Sequence, residues 1–105
     1  MKRSKKKVKA PMTPIYGVDF LSIDKEWKLI EHHHYQRMFK FPNFVSALKF
    51  VNQASEVCEE IDHHAEFILS WGQVVVKTWS HDIDGISERD LQLCNSIDNI
   101  FKEFE

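Results

Sequence analysis

Residues 43–62 read NFVSALKFVNQASEVCEEID, and the spacing of their apolar positions decides the fold. Phe44, Ala47, Leu48, Val51, Ala54, Cys58 and Ile61 recur at intervals of three and four, the period of one helix face. Asn43, just after Pro42, is placed to cap the first turn, and the helix is expected to end near Asp62. Ser46, Lys49, Asn52, Gln53, Glu56 and Glu60 fall on the other side. One apolar stripe and one polar side describe a helix laid against a sheet.

The flanking segments supply that sheet. Phe67 to Trp71 and Val74 to Trp79 are rich in β-branched and aromatic residues, with Gly72 and Gln73 between them as a turn, so a hairpin is expected. Upstream, Trp27 to Ile30 and Tyr35 to Phe41 form a second pair of short apolar runs. Glu31, His32, His33 and His34 separate them and are read as a solvent-exposed turn. Ser87 followed by Asp90 resembles a capping box, and Leu91, Cys94, Ile97, Phe101 and Phe104 then follow at helical spacing. Two strand pairs, each followed by a helix, imply an α+β domain: a four-stranded antiparallel sheet with helices packed on one face.

The chain has 105 residues, 43% of them hydrophobic, enough for one compact core. Its net charge of −2 conceals an asymmetry. Lys2, Arg3, Lys5, Lys6, Lys7 and Lys9 crowd the first ten residues, and Pro11 and Pro14 follow. Residues 1–14 are therefore expected to be a solvated basic tail and residues 15–105 the domain, with regular structure starting between Tyr16 and Asp24. A basic run of this kind also serves nuclear import or nucleic-acid binding, and the tail is the blander reading. No stretch approaches the ~20 apolar residues of a membrane span, nor is there the apolar block of a secretory signal. A cytoplasmic location is the expectation, with nuclear entry the alternative. Cys58 and Cys94 lie in helical segments outside any paired ligand motif and are expected to be reduced, buried thiols.

The residues with chemistry are Glu59, His63, His64, Trp71, His81 and Asp90. They fall at a helix end, around a hairpin and in the first turn of the last helix, where neighbouring elements can bring them to one cleft. On their own they admit three readings. The histidines could be half-buried structural residues. His63, His64 and His81 could bind zinc, although adjacent histidines rarely both face one ion. Or they could move protons, for which a residue type with an unperturbed pKa of ~6.5 is suited.

Their spacing is more specific than their types. Glu59, three residues, His63-His64-Ala65, five residues, Trp71, nine residues, His81, eight residues and Asp90 resemble the signature of the pterin-4a-carbinolamine dehydratase family. Arg37-Met38-Phe39-Lys40-Phe41 with Phe44, Ala47, Phe50 and Val51 also resembles that family's second strand and long helix, and the likeness runs from about Trp27 to Phe104. Two departures stand out. Ala65 occupies a position where the family usually has proline, and residues 1–26 match poorly, so the family's short amino-terminal helix is expected to be shortened or absent.

The resemblance implies dehydration of 4a-hydroxytetrahydrobiopterin to quinonoid dihydrobiopterin, in tetrahydrobiopterin recycling, by histidine acid–base chemistry without cofactor or metal. His63 and His81 would be the proton-transfer pair and His64 would bind or orient the ring. Successive side chains on an extended segment diverge, which separates the roles of His63 and His64. Glu59 and Asp90 would orient imidazoles. Asp90 also suits a helix cap, and Trp71 either flanks the pterin or belongs to the core. Expected partners are the pterin substrate and copies of the same chain in a homodimer or homotetramer, with a metabolic link to an aromatic amino-acid hydroxylase. Neither a membrane nor nucleic acid is an expected partner. The competing function is that of a dimerisation partner of a homeodomain transcription factor, which the basic tail would suit.

Overall fold

The computed structural model describes residues 22–105. The basic tail and the expected start of regular structure lie outside the described residues, apart from the segment from Ser22 on. Four strands, β1 (Lys28–Ile30), β2 (His34–Lys40), β3 (Glu66–Ser70) and β4 (Gln73–Thr78), form an antiparallel sheet in the order β1-β2-β4-β3. Helix α1 (Phe44–Ile61) joins β2 to β3, and α2 (Glu88–Phe101) follows β4 and runs into a closing 3-10 turn. The two β-hairpins thus lie side by side, with β2 and β4 paired at the centre.

Period-two alternation selects the covered face. Phe39 on β2 and Val74, Val76 and Thr78 on β4 are buried, while Met38, Val75 and Ile68 form a row on the opposite face through the registers Met38↔Val75 and Ile68↔Val75. Ala47, Phe50, Ala54 and Cys58 of α1 and Leu93, Cys94 and Ile97 of α2 close over the covered face. Phe39, Phe41, Phe50, Phe101 and Phe104 form an aromatic cluster with ring centroids 4.8–5.9 Å apart. Burying one such side chain contributes about 1.5–3 kcal/mol. At the β1 end, Asp98 of α2 accepts from the Trp27 indole N–H and from Arg37, bracing the edge of the sheet to the helix. Cys58 and Cys94 are free and buried, and burial pushes both thiols above the ordinary range.

The cap of α1 is Asn43, whose side chain accepts from the Ser46 N–H at 2.8 Å. Two turns depart from the sequence reading. The β3–β4 turn is Trp71-Gly72, one residue earlier than Gly72-Gln73, because Ser70 pairs with Gln73. Gly72 has φ +66°, and a Cβ there would stand 2.9 Å from the Phe41 carbonyl oxygen, which is backbone and cannot step aside. Gly72→Ala is therefore expected to cost roughly 1–3 kcal/mol, measured as a lowered denaturant midpoint. A midpoint equal to wild type would mean that the hairpin adopts another turn.

The β1–β2 turn is the second departure. Glu31 and His32 both take positive φ, 52° and 59°, and the His33 N–H donates to the Ile30 carbonyl at 2.8 Å. This tight geometry is one usually filled by Asn-Gly, which hid it from a composition reading. Only Glu31 and His32 are exposed; His33 and His34 are half-buried, with His34 already in β2. The expectation that His32, His33 and His34 form one exposed turn is thus corrected.

Candidate active site

The end of α1 delivers two histidines. Asp62 caps the helix in the left-handed conformation, φ 54°, which Asp tolerates better than most residues, and the His63 N–H bonds back to the Cys58 carbonyl. The chain then leaves the helix extended, so successive side chains diverge. His63 is 7% exposed and reaches α2, where its Nε2 lies 2.7 Å from Asp90 Oδ1. The His64 side chain is exposed and its Nε2 lies 2.6 Å from Glu59 Oε2. His81 comes from the opposite side, in the loop after β4. Asp62, His63, His64, His81, Asp82 and Arg89 together line one open cleft of about 360 Å³. That is within the ~300–1,000 Å³ common for small-molecule sites.

Asp90 lies behind the cleft and anchors one of its histidines. It is fully buried, and its Oδ1 accepts from Thr78 Oγ1 at 2.6 Å as well as from His63. Its Oδ2 accepts from Ser80 Oγ at 2.7 Å and from the Ser87 N–H at 3.0 Å. Burial works against the charge, yet the hydrogen bonds from His63, Thr78, Ser87 and Ser80 outweigh it and hold the carboxyl below its ordinary range. An ionised carboxylate only accepts, so His63 donates to it through Nε2, and Nδ1 has no side-chain hydrogen-bond partner among the described residues. The two roles weighed for Asp90 are both present, since it also completes the capping box with Ser87.

A carboxyl whose folded pKa is depressed contributes stability that is complete above its unfolded value of ~3.9 and is lost as pH falls through the folded value. Asp90→Asn should therefore destabilise the protein at pH 7, by on the order of 3 kcal/mol for a broken buried pair. It should also flatten the acid limb of stability below pH ~4. An unchanged acid limb in urea titrations at several pH values would show that Asp90 is not the group responsible.

The structure does not bring Trp71 to the cleft. The strand β3 carries the chain roughly 20 Å away from the histidines, and Trp71 stands 72% exposed in the hairpin turn at the far end of the sheet. It neither flanks the cleft nor belongs to the core. Several groups were not anticipated from sequence. Arg89 donates to Asp82 at 2.8 Å across the cleft rim and through Nε to Ser87 at 3.1 Å. Thr78 and Ser80 did leave a signal: they continue the buried series Val74, Val76 at two-residue steps, and polar residues in a core-facing series require buried partners. The zinc reading has no matching geometry, for among the described residues no group of three or more His, Cys, Asp or Glu side chains is arranged to hold a metal ion.

The family model for pterin 4 alpha carbinolamine dehydratase matches residues 15–100, beginning well ahead of Trp27, where the sequence reading placed the start of the likeness. Two relatives are provisionally named as pterin-4-alpha-carbinolamine dehydratases. One, from Alkaliphilus metalliredigens, is 41% identical over 72% of this chain and 68% of its own. The other, from Rubrobacter xylanophilus, is 32% identical over 88% and 89%. A crystal structure from Brucella melitensis, described as a transcriptional coactivator/pterin dehydratase, superposes with TM-score 0.69 and 28% identity over 72% of this chain and 82% of that one. The antiparallel sheet with helices on one face is the fold of a pterin dehydratase. The chain belongs to the pterin-4a-carbinolamine dehydratase family.

Proposed function

We propose that this protein dehydrates a 4a-hydroxytetrahydropterin, with 4a-hydroxytetrahydrobiopterin as the substrate, in the recycling of tetrahydrobiopterin after an aromatic amino-acid hydroxylase. The observation that carries this reading is the meeting of His63, His64 and His81 on one cleft, with His63 anchored on an ionised carboxylate. In the reaction the bond from carbon 4a to oxygen breaks, its electron pair leaves with the oxygen, and a ring N–H gives up its proton to form the new C=N bond. Hydroxide leaves poorly, so a proton donor at the departing oxygen and an acceptor at the ring nitrogen each contribute ~10²–10⁴ in rate. His63, with Nδ1 free, is assigned as the acceptor. His81, on the facing loop, is the donor, so that water leaves and no net proton is consumed. His64, oriented by Glu59, holds the ring, and Arg89 and Asp82 close the rim.

The test is a stopped-flow dehydration assay with synthetic 4a-hydroxytetrahydropterins differing at the ring side chain. Faster quinonoid product formation than in buffer is expected, with the biopterin side chain preferred. A folded protein that leaves the spontaneous rate unchanged would sink the reading. A second reading, as a binding partner of a transcription factor, draws on the description of the Brucella structure as a transcriptional coactivator. Histidine substitutions that abolish dehydration would leave such binding intact, which separates the two.

A further inference from the structure

Each of the first two cleft histidines has a carboxylate to fix its ring, His63 through Asp90 and His64 through Glu59. His81 is exposed, and among the described residues its ring has no side-chain hydrogen-bond partner. An exposed imidazole on a loop would sample several rotamers. What meets it is Trp79: the two rings are stacked with centroids 4.6 Å apart and planes 13° from parallel. The stack is possible because Trp79, one residue past β4, falls on the sheet face opposite Thr78, and Ser80 turns back to anchor on Asp90. The indole is itself held. His34 lies across from it, since Tyr35 pairs with Thr78, and the rings of His33 and His34 stand 5.2 and 5.8 Å from it. His33 Nε2 also lies 2.8 Å from Asp84, tying the β1–β2 turn to the loop that carries His81.

We infer that Trp79 is a positioning residue: its indole face, buttressed by His33 and His34, holds the His81 imidazole in the orientation that proton donation needs. The inference rests on the acid–base reading above for its kinetic consequence, but the stack itself is a separate physical claim. An indole face fixes the plane of the imidazole while leaving both ring nitrogens free to exchange protons, which a carboxylate partner would not. The half-burial of His33 and His34, unexplained by a surface turn, then has a purpose.

The experiment compares Trp79→Leu, which keeps apolar bulk, with Trp79→Phe, which keeps an aromatic face, in wild-type and His81→Gln backgrounds. Folding is checked by thermal unfolding. Trp79→Leu is expected to lower kcat by roughly 10–10²-fold, the scale of a misplaced catalytic group, with KM within about two-fold. Trp79→Phe should recover most of that loss, and in the His81→Gln background Trp79→Leu should have no further effect, because the residue acts through His81. A general structural role would instead give additive losses, and additive losses overturn the inference. The proton spectrum gives an arm independent of turnover. Ring current from the indole should hold the His81 ring protons upfield in wild type, and Trp79→Leu should release them downfield. If those resonances do not move, the stack does not exist in solution and the inference fails, whatever the substrate. If they move while the wild-type protein fails to dehydrate the pterin, the stack stands and the proposed reaction falls.

Discussion

His63→Ala is expected to lower dehydration by ~10²–10⁴-fold, the range for loss of a general acid or base, while the product analogue still binds. Sequence position alone suggests that this substitution leaves stability untouched, because residue 63 lies in a helix-to-strand connection. The structure changes that expectation. His63 is one of four donors to the buried Asp90 carboxylate, so its removal should also cost about 1–3 kcal/mol of stability. His63→Gln offers a second variant with a side-chain donor in reach of Asp90. If both variants fold and both lose turnover, the loss belongs to proton transfer. Near-normal kcat in either folded variant would remove His63 from the mechanism.

His81→Gln should show the other large effect with a different signature. Gln keeps a hydrogen-bonding side chain on the exposed loop but cannot titrate near neutrality, so it separates holding from proton transfer. Turnover is expected to fall at least ~10²-fold, with the affinity for a pterin product analogue within several-fold of wild type. Stability should barely change, since His81 is exposed and outside the Asp90 network. The contrast is diagnostic: His63 variants lose activity and stability together, His81 variants lose activity alone. Weakened binding with unchanged turnover would make His81 a ring-holding residue and move the proton-transfer pair to His63 and His64.

Much of the fold was legible because it is written in short-range periodicity. The three- and four-residue rhythm from Phe44 to Ile61, the Asn43 cap and the β-branched run from Val74 to Trp79 each need only a few residues to read. Turn chemistry was read less well. The β3–β4 turn was displaced by one residue, and the β1–β2 turn was hidden because Glu31 and His32 occupy backbone positions that composition assigns to Asn and Gly. At the cleft, the spacing of Glu59, His63, His64, His81 and Asp90 was visible and the two carboxylates were read as imidazole partners, but which imidazole each meets, and the Thr78 and Ser80 hydroxyls that also bind Asp90, were not.

By its own pattern the sequence determined four strands and two helices in order, the apolar stripe of each helix, and which histidines the chain offers for chemistry. Tertiary structure decided which of those residues meet. Asp90 reaches His63 across 27 positions and His33 reaches Asp84 across 51. Trp71, only seven residues after His64, is carried to the far end of the sheet by one extended strand. The physical reason is that helical and strand periods are set by local backbone geometry, whereas a side-chain contact depends on the register of β2 on β4 and on the crossing of α1 over the sheet. Those are fixed only when the whole apolar face is buried at once.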